Sequence, residues 1–189
     1  MNRLTTLLLC LVCAAFAHGQ TSSYGLSVEV LTEHDAGPLA GMTTYRIYMD
    51  CVYADDIVSS VSGDAIFPMD LTTTTSFYQD ALGSATPNAV NPLLFGFFPE
   101  LEYDSWVTVG IFQQPDGALN EGEISTVESP TQGWVSDFES GGNLIMDDAT
   151  GGAWFVTQNY SNGLAGDDLK VLLAQVTTDG EISGTLLVQ

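Results

Sequence analysis

Carboxylates make up most of the reactive inventory of this chain. It carries 24 Asp and Glu against three Lys and Arg, and many of the acids fall in pairs or alternate closely. Asp55-Asp56 stand in "YADD", Asp147-Asp148 in "GGNLIMDDATGGAWF", Asp167-Asp168 in "LAGDD", and Glu100, Glu102 and Asp104 in "PELEYDSW". Two chemistries use such groups. Calcium takes about six to eight oxygen ligands from carboxylates, amides and backbone carbonyls, and loops between strands can supply them. Asp55, Asp56, Asp147, Asp148, Asp167 and Asp168 are therefore the candidate metal ligands, and "PDGALNEGE" is a further oxygen-rich loop. None of these stretches has the spaced Asp-x-Asp-x-Asp-Gly pattern with a distal Glu, so no EF-hand is present.

Glycoside hydrolysis needs two carboxylates roughly 5–10 Å apart, one of them with a raised pKa. Glu100, Glu102 and Asp104 would share a face if their stretch were extended, because residues two apart on a strand point the same way. Abundance alone also produces such coincidences, and Asp is common in turns because its side chain bonds nearby backbone amides. For Asp147-Asp148, set between glycine pairs, a turn is the first reading, calcium the second and catalysis the last.

Other chemistries are excluded or left with little. Beyond Gln20 the only histidine is His34, in the polar turn "TEHDAGPLAG", and it reads as a solvated loop residue. Zinc and iron sites built from His and Cys lack ligands. No Gly-rich phosphate loop with a Lys occurs, and two basic residues beyond Gln20 do not suit nucleotide chemistry. Trp106, Trp134 and Trp154, with Tyr48, Tyr53, Tyr78, Tyr103 and Tyr160, are either a sugar-stacking platform or core. Trp106 and Trp154 sit in strand patterns and read as core. Trp134, in "TQGWVSD", reads as loop-borne and is the candidate ligand-binding ring. Asn159-Tyr160-Ser161 is a glycosylation sequon.

The elements that must position these groups are strands, since period-two alternation dominates. Leu26, Val28 and Val30 share one face of "YGLSVEVL". Tyr45, Ile47, Met49 and Cys51 point one way in "TTYRIYMDC", and Arg46, Tyr48 and Asp50 the other. "DSWVTVGIFQQ", "GGAWFVTQN" and "DLKVLLAQVTT" follow as strands, and Asp179-Gly180 predicts a hairpin joining the last of these to "EISGTLLVQ". "LTTTTSFYQDALGSATPNAV" reads as a threonine-rich strand and a long loop. The one helical candidate is Asn91–Leu101, capped by Asn91 with Pro92 in the first turn and limited to a turn or two by Gly96 and Pro99, or else an irregular apolar loop. The expected fold is all-β: a two-sheet antiparallel β-sandwich or jelly roll forming one domain over 20–189.

Residues 1–19, "MNRLTTLLLCLVCAAFAHG", have a basic start, a short apolar run and small residues before Gln20, and are expected to be a cleaved signal peptide. All 24 acids lie beyond it, but only Arg46 and Lys170 of the basic residues do. Such a surface repels nucleic acid and attracts cations and basic partners. The scarcity of lysine suits salty surroundings, where the Debye length falls to ~3 Å near 1 M. After cleavage Cys51 has no partner for a disulfide, and its phase makes it a buried thiol.

At "TTYRIYMD", "SGDA", "NPLLFGFFPELEYDSWVTVG", "DDATGGAWF" and "GDDLKVLLAQVTTDGEISG" the chain resembles a domain of secreted proteins from marine bacteria, mainly Bacteroidetes, over Leu26 to Gln189. That family has no activity to carry over. What the resemblance implies is an exported surface or matrix module, here without a sorting domain after the last strand. The expected function is a secreted, non-catalytic binding or assembly module of the cell surface or extracellular matrix, with calcium rigidifying its loops. Self-association would use the edge strands Tyr24–Leu31 and Glu181–Gln189. The alternatives are a carbohydrate-binding module with an extracellular glycan as partner, and a small glycan hydrolase using paired carboxylates. No segment beyond residue 19 is apolar enough to span a membrane.

Overall fold

The computed structural model describes residues 23–189, so the expected signal peptide lies outside the described residues. The chain is all-β and antiparallel, as expected. Its strands in order are β1 (Gly25–Glu33), β2 (Thr43–Asp50), β3 (Ser60–Gly63), β4 (Met69–Thr73), β5 (Trp106–Val107), β6 (Ser125–Val127), β7 (Leu144–Met146), β8 (Gly152–Phe155), β9 (Lys170–Thr178), β10 (Ile182–Thr185) and β11 (Leu187–Val188). One short helix, α1 (Trp134–Glu139), lies between β6 and β7.

Hydrogen bonding sorts the strands into three sheets, ordered β1-β2-β9-β5, β10-β4-β7 and β11-β3-β8-β6. The two smaller ones are continuations of each other. Gly63 pairs with Gly152 at the end of one ladder, and Met69 pairs with Met146 at the start of the next. Both chains therefore leave the ladder together, over 64–68 and 147–151, and rejoin in the same register. The third strand crosses this gap directly: Thr185 pairs with Asp70, and Leu187 already pairs with Ser62. The two excursions rise side by side, joined by Ala65 N–H donating to the Asp148 carbonyl at 2.8 Å. Gly63 makes the pinch possible, because a Cβ there would lie 2.5 Å from Met69 Cβ and 2.8 Å from the Met146 carbonyl.

Alternation places the core as read. Ile47 and Cys51 of the β2 segment face Val61, Met69, Leu71, Leu144, Met146 and Trp154 from the smaller sheets, together with Val171, Leu173, Ala174 and Val176 of β9. The buried Cys51 thiol matches its expected role. Trp154 is fully buried, and its indole N–H donates to the Thr108 carbonyl at 2.9 Å. Phe77 packs edge-on against Phe138 of α1.

One local expectation changes. The Asp179-Gly180 step is a crossing between sheets, not a hairpin, since β9 pairs with β2 and β5 while β10 pairs with β4. Threonines decide this. Thr178 Oγ1 lies 2.8 Å from Thr73 Oγ1 and 3.0 Å from Thr75 Oγ1, and Thr75 donates to Asp179 at 2.6 Å. A Cβ at Gly180 would lie 2.5–2.8 Å from the hydroxyls of Thr73, Thr74 and Thr75, so only glycine fits against them. The helical candidate Asn91–Leu101 becomes two 3-10 turns, Pro92–Leu94 and Pro99–Tyr103. The Asn91 side chain caps the first by accepting from Leu93 N–H at 3.0 Å.

Gly63→Ala is expected to destabilise the fold by about 1–3 kcal/mol through overpacking at the pinch. Gly96→Ala, where a Cβ meets nothing within 4 Å, should change stability by less than about 1 kcal/mol. Urea midpoints of the two variants measure this; equal midpoints would rule out the pinch as a packing constraint.

Candidate functional site

Four of the nine candidate carboxylates, Asp56, Asp104, Asp147 and Asp148, are occupied by the protein itself. Asp148 Oδ1 accepts from Thr150 N–H (3.1 Å) and Gly151 N–H (2.7 Å), and Oδ2 accepts from the Ser129 and Thr131 hydroxyls. These donors, the Ser129 hydroxyl first, lower its pKa to about 2. Four donors match the lone pairs a carboxylate offers, which is the turn reading of this pair. Asp147 is held by Gln132, whose Nε2 donates to it at 2.8 Å while Asp147 N–H donates back at 3.1 Å. In the paired excursion Asp64 repeats the device, accepting from Ile66 and Phe67 N–H at 2.7 and 2.8 Å.

Asp56 accepts from Val52 N–H, Tyr53 N–H and the Tyr24 hydroxyl, and the Tyr53 amide is the largest influence lowering its pKa. The loops carrying Asp55-Asp56 and Asp167-Asp168 run beside each other, with Ala165 N–H on the Asp56 carbonyl and Gly166 N–H on the Ala54 carbonyl. Asp55, Asp167 and Asp168 are exposed. Among the described residues no three His, Cys, Asp or Glu converge to hold an ion.

The carboxylate trio does not share a face. A 3-10 turn carries Glu100 and Glu102 near the surface, while Asp104 is 0 % exposed beneath it. Burial raises the Asp104 pKa to about 7, against the opposing pull of the Asp80 N–H that donates to Oδ1 at 2.7 Å. Its Oδ2 is buried without a hydrogen-bond partner. His34 is not a free loop residue: its Nε2 lies 2.9 Å from Thr44 Oγ1 and its ring meets Tyr103 edge-on at 4.5 Å.

Trp134 corrects an expectation. It is 1 % exposed, opens α1, donates to the Val127 carbonyl at 2.9 Å and packs 5.9 Å from Trp154, so its ring cannot meet a ligand. The reading failed because α1 is six residues long and has Gly133 at its cap, without a side-chain signal; Glu128 caps Val135 N–H from outside the helix.

What the sequence reading missed lies on the outer face of the β1-β2-β9-β5 sheet. One row across it runs Glu29, Arg46, Gln175, Trp106, by strand register. Gln175, wholly buried, donates through Nε2 to the carbonyls of Glu102 and Asp104, both at 3.0 Å, so its oxygen faces Arg46 and accepts from Nε at 3.0 Å. Arg46 lies 5.2 Å from the Phe112 ring centre, and Lys170 lies 5.3 Å from that of Tyr48. Lys170 bonds Glu29, the one ion pair among the described residues, and that hydrogen bond raises the lysine pKa. These side chains, with Asp168, Asn162 and the exposed Leu164, line an open cleft of about 500 Å³. Both cations of the described chain thus share one cleft, in a protein of formal charge −21. Asp168, a candidate metal ligand, lies on its wall. The available signal was the outward phase of Arg46 and Tyr48 on one strand.

A second depression, about 160 Å³ and apolar, separates the sheets at their edges: Leu26 and Val28 of β1 face Ile182 and Leu186, over Ile47 and Leu71. Leu26, Val28 and Val30 share a face as read, but all three side chains are exposed rather than buried in the core.

Asp148→Asn should lower the melting temperature by the same amount in EDTA and in millimolar calcium, since the carboxylate serves internal donors; a loss seen only in calcium would make it a ligand. With its pKa held low, its contribution is present above about pH 4 and disappears as the pH falls towards 2. For Asp104 the sign is opposite. Its folded pKa lies above the unfolded value near 3.9, so its stabilisation is complete below that value and is lost as the pH rises through 7. Asp104→Asn should flatten the fall in stability between pH 4 and 7, followed by denaturant midpoints in 0.5 M NaCl; an unchanged slope would remove Asp104 as its source. Comparison of the chain with protein-family models, curated proteins and solved structures finds no match.

Proposed function

We propose that this chain is a secreted, non-catalytic binding module of the extracellular space, and that its ligand occupies the Arg46–Lys170 cleft. The observation that carries this reading is the placement of both cations. Chance would scatter two cations over the surface, and ordinary pairing would set each against one of the many carboxylates. Here both stand over aromatic rings of one open cleft, and Arg46 has no carboxylate partner among the described residues. The cleft's volume falls in the range of ligand pockets, roughly 300–1,000 Å³. Export is carried by the signal-like N-terminal sequence, and the carbohydrate alternative by the cleft's mixture of aromatic, acidic and basic groups.

Assembly between copies is the second reading, favoured by the free edge of β1 and its exposed apolar face. The occupant would be β1 of a second copy, added antiparallel at the edge so that Leu26, Val28 and Val30 of the two strands become cross-strand neighbours on one face. The negative charge of each copy opposes such pairing until salt screens it.

One set of samples separates the two. Protein starting at Gln20 is run by affinity electrophoresis through neutral and acidic polysaccharides, with its mass followed by light scattering in 10 mM and 0.5 M NaCl. Cleft binding predicts retention by at least one polysaccharide, and a loss of about tenfold or more in Leu164→Trp and Phe112→Ala with melting temperatures kept. Pairing predicts a doubled mass at high salt, abolished by Val28→Lys. No retention and a constant monomer mass would sink both.

A further inference from the structure

The cleft also indicates what it takes, and this step rests on the binding reading above. Its two cations are not equivalent. Lys170 is neutralised by Glu29, its Nζ 2.5 Å from Oε1. Arg46 is directly opposite Glu29 in the strand register, yet Glu29 turns to Lys170 instead. The guanidinium is held from behind, by Nε on a glutamine whose amide is itself fixed by two carbonyls, and from one side by the Phe112 ring. Fixing Nε leaves the terminal nitrogens as a preorganised pair of donors, the geometry that recognises an oxyanion through two hydrogen bonds.

The surroundings limit how much charge the ligand can bring. Asp168 stands on the cleft wall, and the whole chain is strongly negative. A polyphosphate or a densely charged polyanion would meet that field with one unpaired cation to offset it. A ligand with one acidic group among neutral, hydroxyl-bearing units meets less repulsion. Its hydroxyls can donate to Asp168, and its apolar faces can rest on the half-exposed Phe112 and Leu164. We infer that the cleft binds a saccharide carrying a single oxyanion, carboxylate or sulfate, which the terminal nitrogens of Arg46 receive.

The test is calorimetric titration of the protein, started at Gln20, with aldotriouronic acid (two neutral xylose units and one uronate), its methyl ester, trigalacturonate, and a neutral disaccharide bearing one sulfate. The acid or the monosulfate should bind, and the tighter of the two identifies the source of the oxyanion. The ester should bind at least about tenfold more weakly than the acid, the span of one lost charge-assisted hydrogen bond. Arg46→Gln should lose the same factor for the charged sugar while keeping its unliganded melting temperature. Equal binding of acid and ester, wild-type affinity in Arg46→Gln, or a preference for trigalacturonate would overturn the inference, and would leave the cleft reading standing if Leu164→Trp still blocks binding. No binding by any of the four sugars would also overturn it, while the polysaccharide panel decides the cleft reading separately.

Discussion

A chain with 24 carboxylates and almost no cations must satisfy those carboxylates by other means. Among the described residues one ion pair exists, and backbone amides serve nine of the other carboxylates. Asp56, Asp64, Asp80, Asp116 and Asp148 accept amides from their own turns, while Asp104, Glu121, Glu128 and Glu139 accept them from other stretches of chain. Hydroxyls supply more, as at Ser129, Thr131 and Tyr24. The acids are thereby part of the backbone's own hydrogen bonding, fixing loops between short strands. Such bonds are short-ranged and less dependent on ionic strength than surface ion pairs. The same economy leaves Arg46 without a carboxylate partner among the described residues.

Alternation made the long strands legible. In β2 every second side chain turns towards the core, so the phase of Tyr45, Ile47 and Met49 could be read directly, while β9 is legible as a near-continuous β-rich run that is buried from Val171 to Thr178. What stayed hidden depended on contacts between distant segments. Asp179-Gly180 has the local chemistry of a hairpin, and it is overruled by hydroxyls of Thr73 and Thr75 about a hundred residues earlier. Trp134 looked loop-borne because a six-residue helix leaves no periodic trace. The extended reading of "PELEYDSW" gave way to a 3-10 turn begun by Pro99.

The candidate site shows the same division. Its parts come from β1, β2, β9 and the loops around Phe112 and Asp168, four separate stretches of the sequence around residues 29, 46–48, 110–112 and 162–172. The acidic doublets were visible as pairs, but a doublet in a turn is first a turn, as Asp148 shows. Rarity was the better guide: in a sequence with so few cations, where each one lies carries more information than the position of any acid.

The order of strands in the largest sheet also bears on how the molecule comes to exist. β9 is a central strand, yet its partner β2 was laid down more than a hundred residues earlier, so that Thr43 pairs with Thr178. Until residues 170–178 are available, β2 and β5 have no strand to lie between them and the core lacks Val171, Leu173, Ala174 and Val176. Topologies dominated by such distant pairings fold slowly, in milliseconds to seconds. Closure of this sheet therefore waits for residues 170–178, although the β1–β2, β3–β8 and β4–β7 pairings need nothing beyond residue 155.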